Sequence, residues 1–193
     1  MDSLILVNKP MNVLSQFSAE GQKVGLSSVL SAPGYRVAGR LDSDSEGLLI
    51  LTSDGRIQAR LTQPKKQVWK QYWVQVEGLP QSQALEKLRR GLLLKDGPTL
   101  PARVDIISPP PVWDRSPPIR YRANIPTTWL NIQLQEGRNR QIRRMTASVG
   151  HPTLRLVRHR VGDFELGLLQ PGEYRCVAVP PIFLHNPRMK TKS

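Results

Sequence analysis

Apolar and polar residues mix along the chain without internal repeats, and strand-like segments alternate with short helical ones. That alternation predicts a mixed α/β or α+β sheet protein. Residues 4–7 read as a first strand and 47–52 as a second, ended by Asp54-Gly55. Residues 56–61 predict a short helix stopped before Pro64. Positions 68–76 alternate as a strand does; Pro80 opens a helix through Arg90, with Gly91 as its C-terminal stop. Further strands are expected at 103–107, 129–134, 154–159 and 173–179. Within 139–149, Ile142, Met145 and Val149 recur at helical spacing, while Arg140, Arg143 and Arg144 project to the other side before Gly150. This helix has a core face and a cationic face.

At 193 residues the chain can bury a continuous core as one large domain or two small lobes. Residues 108–118 hold five prolines without periodicity and predict an ordered or semi-ordered loop rather than a linker. A single domain over 1–184 is expected, followed by a frayed basic tail at 185–193. No run approaches membrane-spanning length, and the apolar stretch 4–7 lacks the basic leader of a signal peptide. The lone Cys176 cannot form an internal disulfide, which favours a reducing, cytoplasmic compartment. No Cys/His cluster has zinc-ligand spacing, so no metal is expected.

Charge changes the picture. The chain carries 28 Lys and Arg against 15 Asp and Glu, a net +13, and 19 of the cations are arginine. Arginine offers a planar fork of donors to phosphate and a flat face to bases, so the bias points to nucleic acid ahead of a membrane surface. From Arg138 to Arg160 there are seven arginines and no acid. Each alone could belong to a solvated face, but together they would repel one another, and phosphates would relieve that repulsion. Arg138, Arg140, Arg144, Arg155, Arg158 and Arg160, with Lys9 and Arg40, are the candidate nucleic-acid contacts.

Acids are sparse, yet three stand two residues apart at Asp42, Asp44 and Glu46. A calcium loop would place a bidentate glutamate where Ser53 stands, so that pattern fails. Asp44 and Glu46 fit a solvated turn as readily as catalysis. Asp42 differs, because Leu41 and the run 48–51 would hold it at the mouth of a buried strand beside Arg40. A neighbouring guanidinium keeps such a carboxylate ionised as a nucleophile or base. Tyr72 and Trp73 are adjacent in a strand and must face opposite ways. A strand tyrosine is more often packing than catalytic; its other role would be to stack on an extruded base. A non-enzymatic rRNA-binding protein would explain the charge but not the Asp42 segment. A glycoside-type hydrolase would need a paired acid, with Glu46 as candidate.

Three segments in this order resemble the signature motifs of the RsuA-type branch of bacterial pseudouridine synthases: Val7-Asn8-Lys9-Pro10, the stretch 39–55 beginning Gly39-Arg40-Leu41-Asp42, and the stretch 136–145 ending Arg143-Arg144-Met145. Stretches 96–101 and 125–130 look most like enzymes acting on large-subunit rRNA. The resemblance implies an α+β pseudouridine synthase fold: a central, mostly antiparallel mixed sheet with flanking helices, in two lobes around a catalytic cleft. It implies that Asp42 is the essential aspartate, Tyr72 the base-stacking tyrosine, Arg143 the arginine that pairs with the aspartate, and Leu156 the side chain packing beside the tyrosine. The reaction moves C1′ from N1 to C5 of uracil without redox change, so no cofactor is expected. The implied partner is ribosomal RNA, free or in an assembling particle, bound by a monomer. Many relatives carry an S4-type domain before the first motif, for which there is no room ahead of Val7.

Overall fold

A computed structural model of the chain describes residues 3–119 and 124–184, so the expected tail at 185–193 lies outside the described residues. In chain order the elements are β1 (Ser3–Lys9), β2 (Arg36–Val37), β3 (Glu46–Thr52), α1 (Gly55–Thr62), β4 (Lys70–Glu77), α2 (Ser82–Arg90), β5 (Leu93–Leu94), β6 (Gly97–Pro98), β7 (Arg103–Ile107), β8 (Thr127–Leu134), α3 (Gln141–Ser148), β9 (Thr153–Val161), β10 (Phe164–Glu165), β11 (Tyr174–Ala178) and α4 (Pro181–Leu184). Among the described residues, nine strands form one sheet in the order β11-β1-β3-β9-β4-β8-β7, with β2 on β3 and β10 on β9, while β5 and β6 pair separately.

All pairings along that path are antiparallel except β3 with β9, which run parallel over only two positions, Glu46 opposite Val157 and Gly47 opposite Arg158. The sheet is thus two antiparallel halves joined at a short parallel seam. Gly47 makes the seam possible. Its φ is +100°, and a β-carbon there would come within 2.3 Å of the Arg158 carbonyl oxygen, which only glycine avoids.

Both faces of the sheet are covered, which is why β1 and β3 are apolar at nearly every position instead of alternating. Ile5, Val7, Leu49 and Leu51 pack on one face with Leu85 and Leu88 of α2 and Ile142 and Met145 of α3. Leu4, Leu6, Leu48 and Ile50 pack on the other with Ile57 and Leu61 of α1. The architecture is the expected α+β one. At helix ends the structure refines the sequence reading. Asp54 caps α1 by accepting from the Arg56 amide at 2.7 Å, a contact that stabilises a helix by about 1 kcal/mol. Helix α2 begins at Ser82, because Gln81 before it is still extended; Gly91 ends it at φ +94° as expected. Helix α3 begins at Gln141, because Arg140 adopts a left-handed conformation at φ +47°.

The proline-rich stretch is a loop tied to the sheet rather than a linker. The Trp113 indole donates to Glu46 Oε1 at 2.8 Å, and Arg115 donates to the Leu154 carbonyl at 3.2 Å.

Candidate active site

A cleft of about 890 Å³ opens where the two halves of the sheet meet. The first half contributes the 39–45 loop with Asp42; the second contributes Tyr72 from β4 and Leu156 and Arg158 from β9. Ile142, Arg138 and Arg140 close it from the start of α3. Tyr72 and Leu156 are buried side chains of the core that also form the cleft wall. Trp73 faces away, as strand geometry requires, and stacks on His159 at 4.4 Å.

The loop bearing Asp42 is held by hydrogen bonds along its whole length. The Ser15 hydroxyl donates to the Leu41 carbonyl at 2.6 Å and accepts from the Leu41 amide at 2.9 Å. The Ser45 amide closes a turn on the Asp42 carbonyl at 3.1 Å. Three cations then take the surrounding carbonyls. Lys9, fully buried, donates to Val13 at 2.7 Å, to Pro10 at 2.8 Å and to Ser43 at 3.4 Å. Arg158 donates to Leu48 at 2.8 Å and to Gly39 at 2.9 Å. Arg143 donates to the Asp44 carbonyl at 2.6 Å. Such bonds fix the backbone and leave the Asp42 side chain, 33 % exposed, projecting from it.

Its electrostatic neighbours differ from the expected pairing. Arg143 meets Asp44, with Nε 3.4 Å from Oδ2, and Arg140 comes nearer Asp42, at 3.9 Å. Arg140 also binds both oxygens of Asp44, at 3.1 and 3.0 Å. Burial works against the charge on Asp44, yet the hydrogen bonds from Arg140 and the field of Arg143 hold its carboxyl below the usual range. Asp44 therefore anchors the two arginines beside Asp42. The left-handed backbone of Arg140, a conformation disfavoured by about 1 kcal/mol or more for a side chain with a Cβ, turns its guanidinium toward the loop.

The eight expected RNA contacts separate into three groups. Lys9, Arg155 and Arg158 are interior, which corrects their reading as phosphate ligands: their side chains hold carbonyls or a buried acid and, although Arg158 lines the cleft, each is 5 % exposed or less. Arg155 pairs with Glu46 at 2.9 Å, with side chains only 6 % and 2 % exposed, so Glu46 is a structural partner rather than a turn acid. Arg40, Arg138, Arg140 and Arg144 rim the mouth of the cleft or stand beside it, and Arg138 and Arg144 share Asp96. Those two guanidiniums hold the Asp96 carboxyl well below the ordinary range. Arg160 stands apart, paired with Glu165 at 2.7 Å, in a separate groove. Ser15 and Lys70, which also line the cleft, were not singled out from sequence. Lys70 carried a legible signal, since it precedes Tyr72 by two on one strand face. Among the described residues no three His, Cys, Asp or Glu side chains converge as metal ligands, and no helix is long and apolar enough to cross a membrane.

The chain and its fold have counterparts among known proteins. Residues 3–148 match the family model described as RNA pseudouridylate synthase, and the chain belongs to that family: it is an RNA-modifying isomerase. It is 58 % identical over 172 residues to the ribosomal large subunit pseudouridine synthase E of Vibrio parahaemolyticus, covering 89 % of this chain and 72 % of that one. To the protein of the same name from Xanthomonas axonopodis pv. citri it is 54 % identical, covering 87 % and 90 %. A crystal structure of a pseudouridylate synthase superimposes with a TM-score of 0.77 at 27 % identity, over 92 % of this chain and 71 % of that one.

Proposed function

We propose that the protein converts one uridine of large-subunit ribosomal RNA to pseudouridine, with Asp42 as the group that acts on the ribose. The observation that carries this reading is that one cleft gathers Asp42, Tyr72 and Leu156 beneath a rim of arginines. The target nucleotide leaves its stack and enters this cleft. Unstacking costs a few kcal/mol, which phosphate contacts along the rim offset. Arg40, Arg138, Arg140 and Arg144 supply those contacts; Asp44 and Asp96 hold three of them in place beforehand, as the phosphates displace acids from arginines already ordered.

Asp42 acts as an anion, as nucleophile at C1′ or as base on the ribose. Arg140 stands 3.9 Å from its carboxylate, and Arg143 fixes the loop that carries it. Tyr72 stacks on the detached uracil and Leu156 packs beside it, so the base turns within the cleft and rejoins through C5. Since nothing is oxidised or reduced, residues 1–184 carry out the reaction without cofactor, as a single chain in the cytoplasm, on free rRNA or an assembling particle.

Tritium release from rRNA labelled at uracil C5 tests this, because C5 must lose its hydrogen. Asp42→Asn is expected to reduce release by about a thousandfold or more while the Kd for RNA stays within about twofold, as when a group acting only in the transition state is removed. Equal loss of binding and release would remove Asp42 from chemistry and make it a binding residue.

A further inference from the structure

Two lysines are buried beside the catalytic loop, and they are satisfied very differently. Lys9 gives its three protons to three carbonyls. Lys70, 9 % exposed, has among the described residues one hydrogen bond, a long one of 3.4 Å to the Gln135 carbonyl. None of the described ion pairs gives it a carboxylate, and Arg158 nearby repels it. An ammonium has three protons to donate, and a buried cation without an anion is unfavourable enough to require a reason. Burial pushes Lys70 down to about 8, and it does the same to Lys9. At neutral pH most of the Lys70 population is therefore still charged.

Its position supplies the reason. Lys70 and Tyr72 stand two residues apart on the same face of β4, and both line the cleft that holds Asp42. Opposite Lys70 in the neighbouring strands are Leu134 and Val161, and α1 contributes Leu61 and Thr62 to the same wall. Around the cleft the other charged or titratable groups are Arg158 on β9, Glu136 and Arg138 after β8, Arg140 at the start of α3, Asp42 and Arg40 on the loop, Lys23, and Tyr72 itself. Glu136 is already engaged by the Leu100 amide and Gln141.

We propose that Lys70 is a catalytic residue of the same reaction, whose ammonium hydrogen-bonds a carbonyl oxygen of the target uracil and stabilises the negative charge the base acquires as it leaves C1′. This inference rests on the uridine-isomerising reading above. When the C1′–N1 bond breaks, its electron pair goes to the uracil, and the charge spreads over N1 and the carbonyl oxygens. Asp42 meanwhile either bonds to C1′ or takes a ribose proton. The Lys70 proton stays on nitrogen. After the base turns, C5 gives an electron pair to C1′, Asp42 is released or returns its proton, and the C5 hydrogen leaves to water as a proton while N1 takes up a proton from water. No redox equivalent is gained or lost. A donor in a site shielded from water, aimed at charge that appears only during reaction, acts on rate rather than on binding. Lys70 fits that description better than it fits phosphate, because it is buried in the cleft wall beside the tyrosine.

The test is single-turnover tritium release from C5-labelled large-subunit rRNA by the full chain, comparing wild type, Lys70→Met and Lys70→Arg, with RNA affinity and thermal melting measured in parallel. Lys70→Met is expected to be slower by about a hundredfold, with Kd unchanged within about threefold and melting no lower, since a buried unpaired charge has been removed. Lys70→Arg should recover at least about a tenth of the wild-type rate. Wild-type release should fall as pH rises through about 8, and Lys70→Met should lack that limb. A Lys70→Met rate near wild type with the same pH profile would overturn the proposal; so would rate, affinity and melting all falling together, which would make Lys70 structural. Wild type that binds rRNA yet releases no tritium would instead bring down the uridine reading itself.

Discussion

Arg155 and Arg158 of β9 and Arg138, Arg140 and Arg144 around the start of α3 lie within one short stretch of chain, and they are held in opposite ways. Arg155 and Arg158 are interior, fixed by Glu46 and by the carbonyls of Leu48 and Gly39. Arg138, Arg140 and Arg144 are at the surface, resting on Asp96 and Asp44. The first pair ties β9 to β3 and the loop before it, and the second group stands at the cleft mouth or beside it. Residue type and local density therefore say little about an arginine's job; its partner and its depth decide. An acid at 2 % exposure is a permanent partner, whereas an exposed acid such as Asp96 is one that a phosphate can replace.

The sharpest way to break this contrast is Arg155→Met, which takes the guanidinium from the buried Glu46 carboxylate and leaves it the Trp113 indole. Urea unfolding should show a loss of about 3–5 kcal/mol, and replacing Glu46 by Leu as well should restore much of it. Little loss in the single variant would mean that water reaches Glu46. At the surface, Arg138→Ser with Arg144→Ser should leave the urea midpoint essentially in place, because exposed pairs contribute little. The same double variant should reduce the slope of log K for RNA against log salt by about two, one for each phosphate contact. An unchanged slope would take these residues out of the interface. A smaller effect concerns His159, between Arg158 and Arg160. Burial and then Arg160 push it down to about 4, so the unfolded chain binds the proton first. Its contribution to stability is complete above pH 6.5 and is lost as pH falls toward 4. His159→Phe, which keeps a ring on Trp73, should flatten that part of the acid-unfolding curve; a curve of unchanged shape would assign the sensitivity to carboxylates.

Most of the elements were legible because they obey local rules. The period of α3, the alternation of β4 and the stop at Gly91 depend on neighbours in sequence. Asp42 stood out as a candidate because it interrupts a basic chain just before an apolar strand. What escaped was set by partners distant in sequence. Nothing near Lys9 announces that it will be buried under the Ser43 carbonyl, and nothing near Arg155 announces Glu46. The expected bond between Arg143 and Asp42 went to Asp44 for a similar reason: the turn closed by the Ser45 amide and the left-handed Arg140 decide which carboxylate faces which guanidinium.

The parallel seam between β3 and β9 has a consequence for the order of folding. Glu46 and Val157 are neighbours across it, yet most of the chain must be synthesised between them, and β1 waits still longer for β11. Contacts so distant in sequence form late and slowly. The first half of the sheet can carry Asp42, but Arg158 and Leu156 arrive only with β9. A nascent or truncated chain therefore displays the acid without its cleft, and competence for chemistry comes as a late event, when the two halves close on each other.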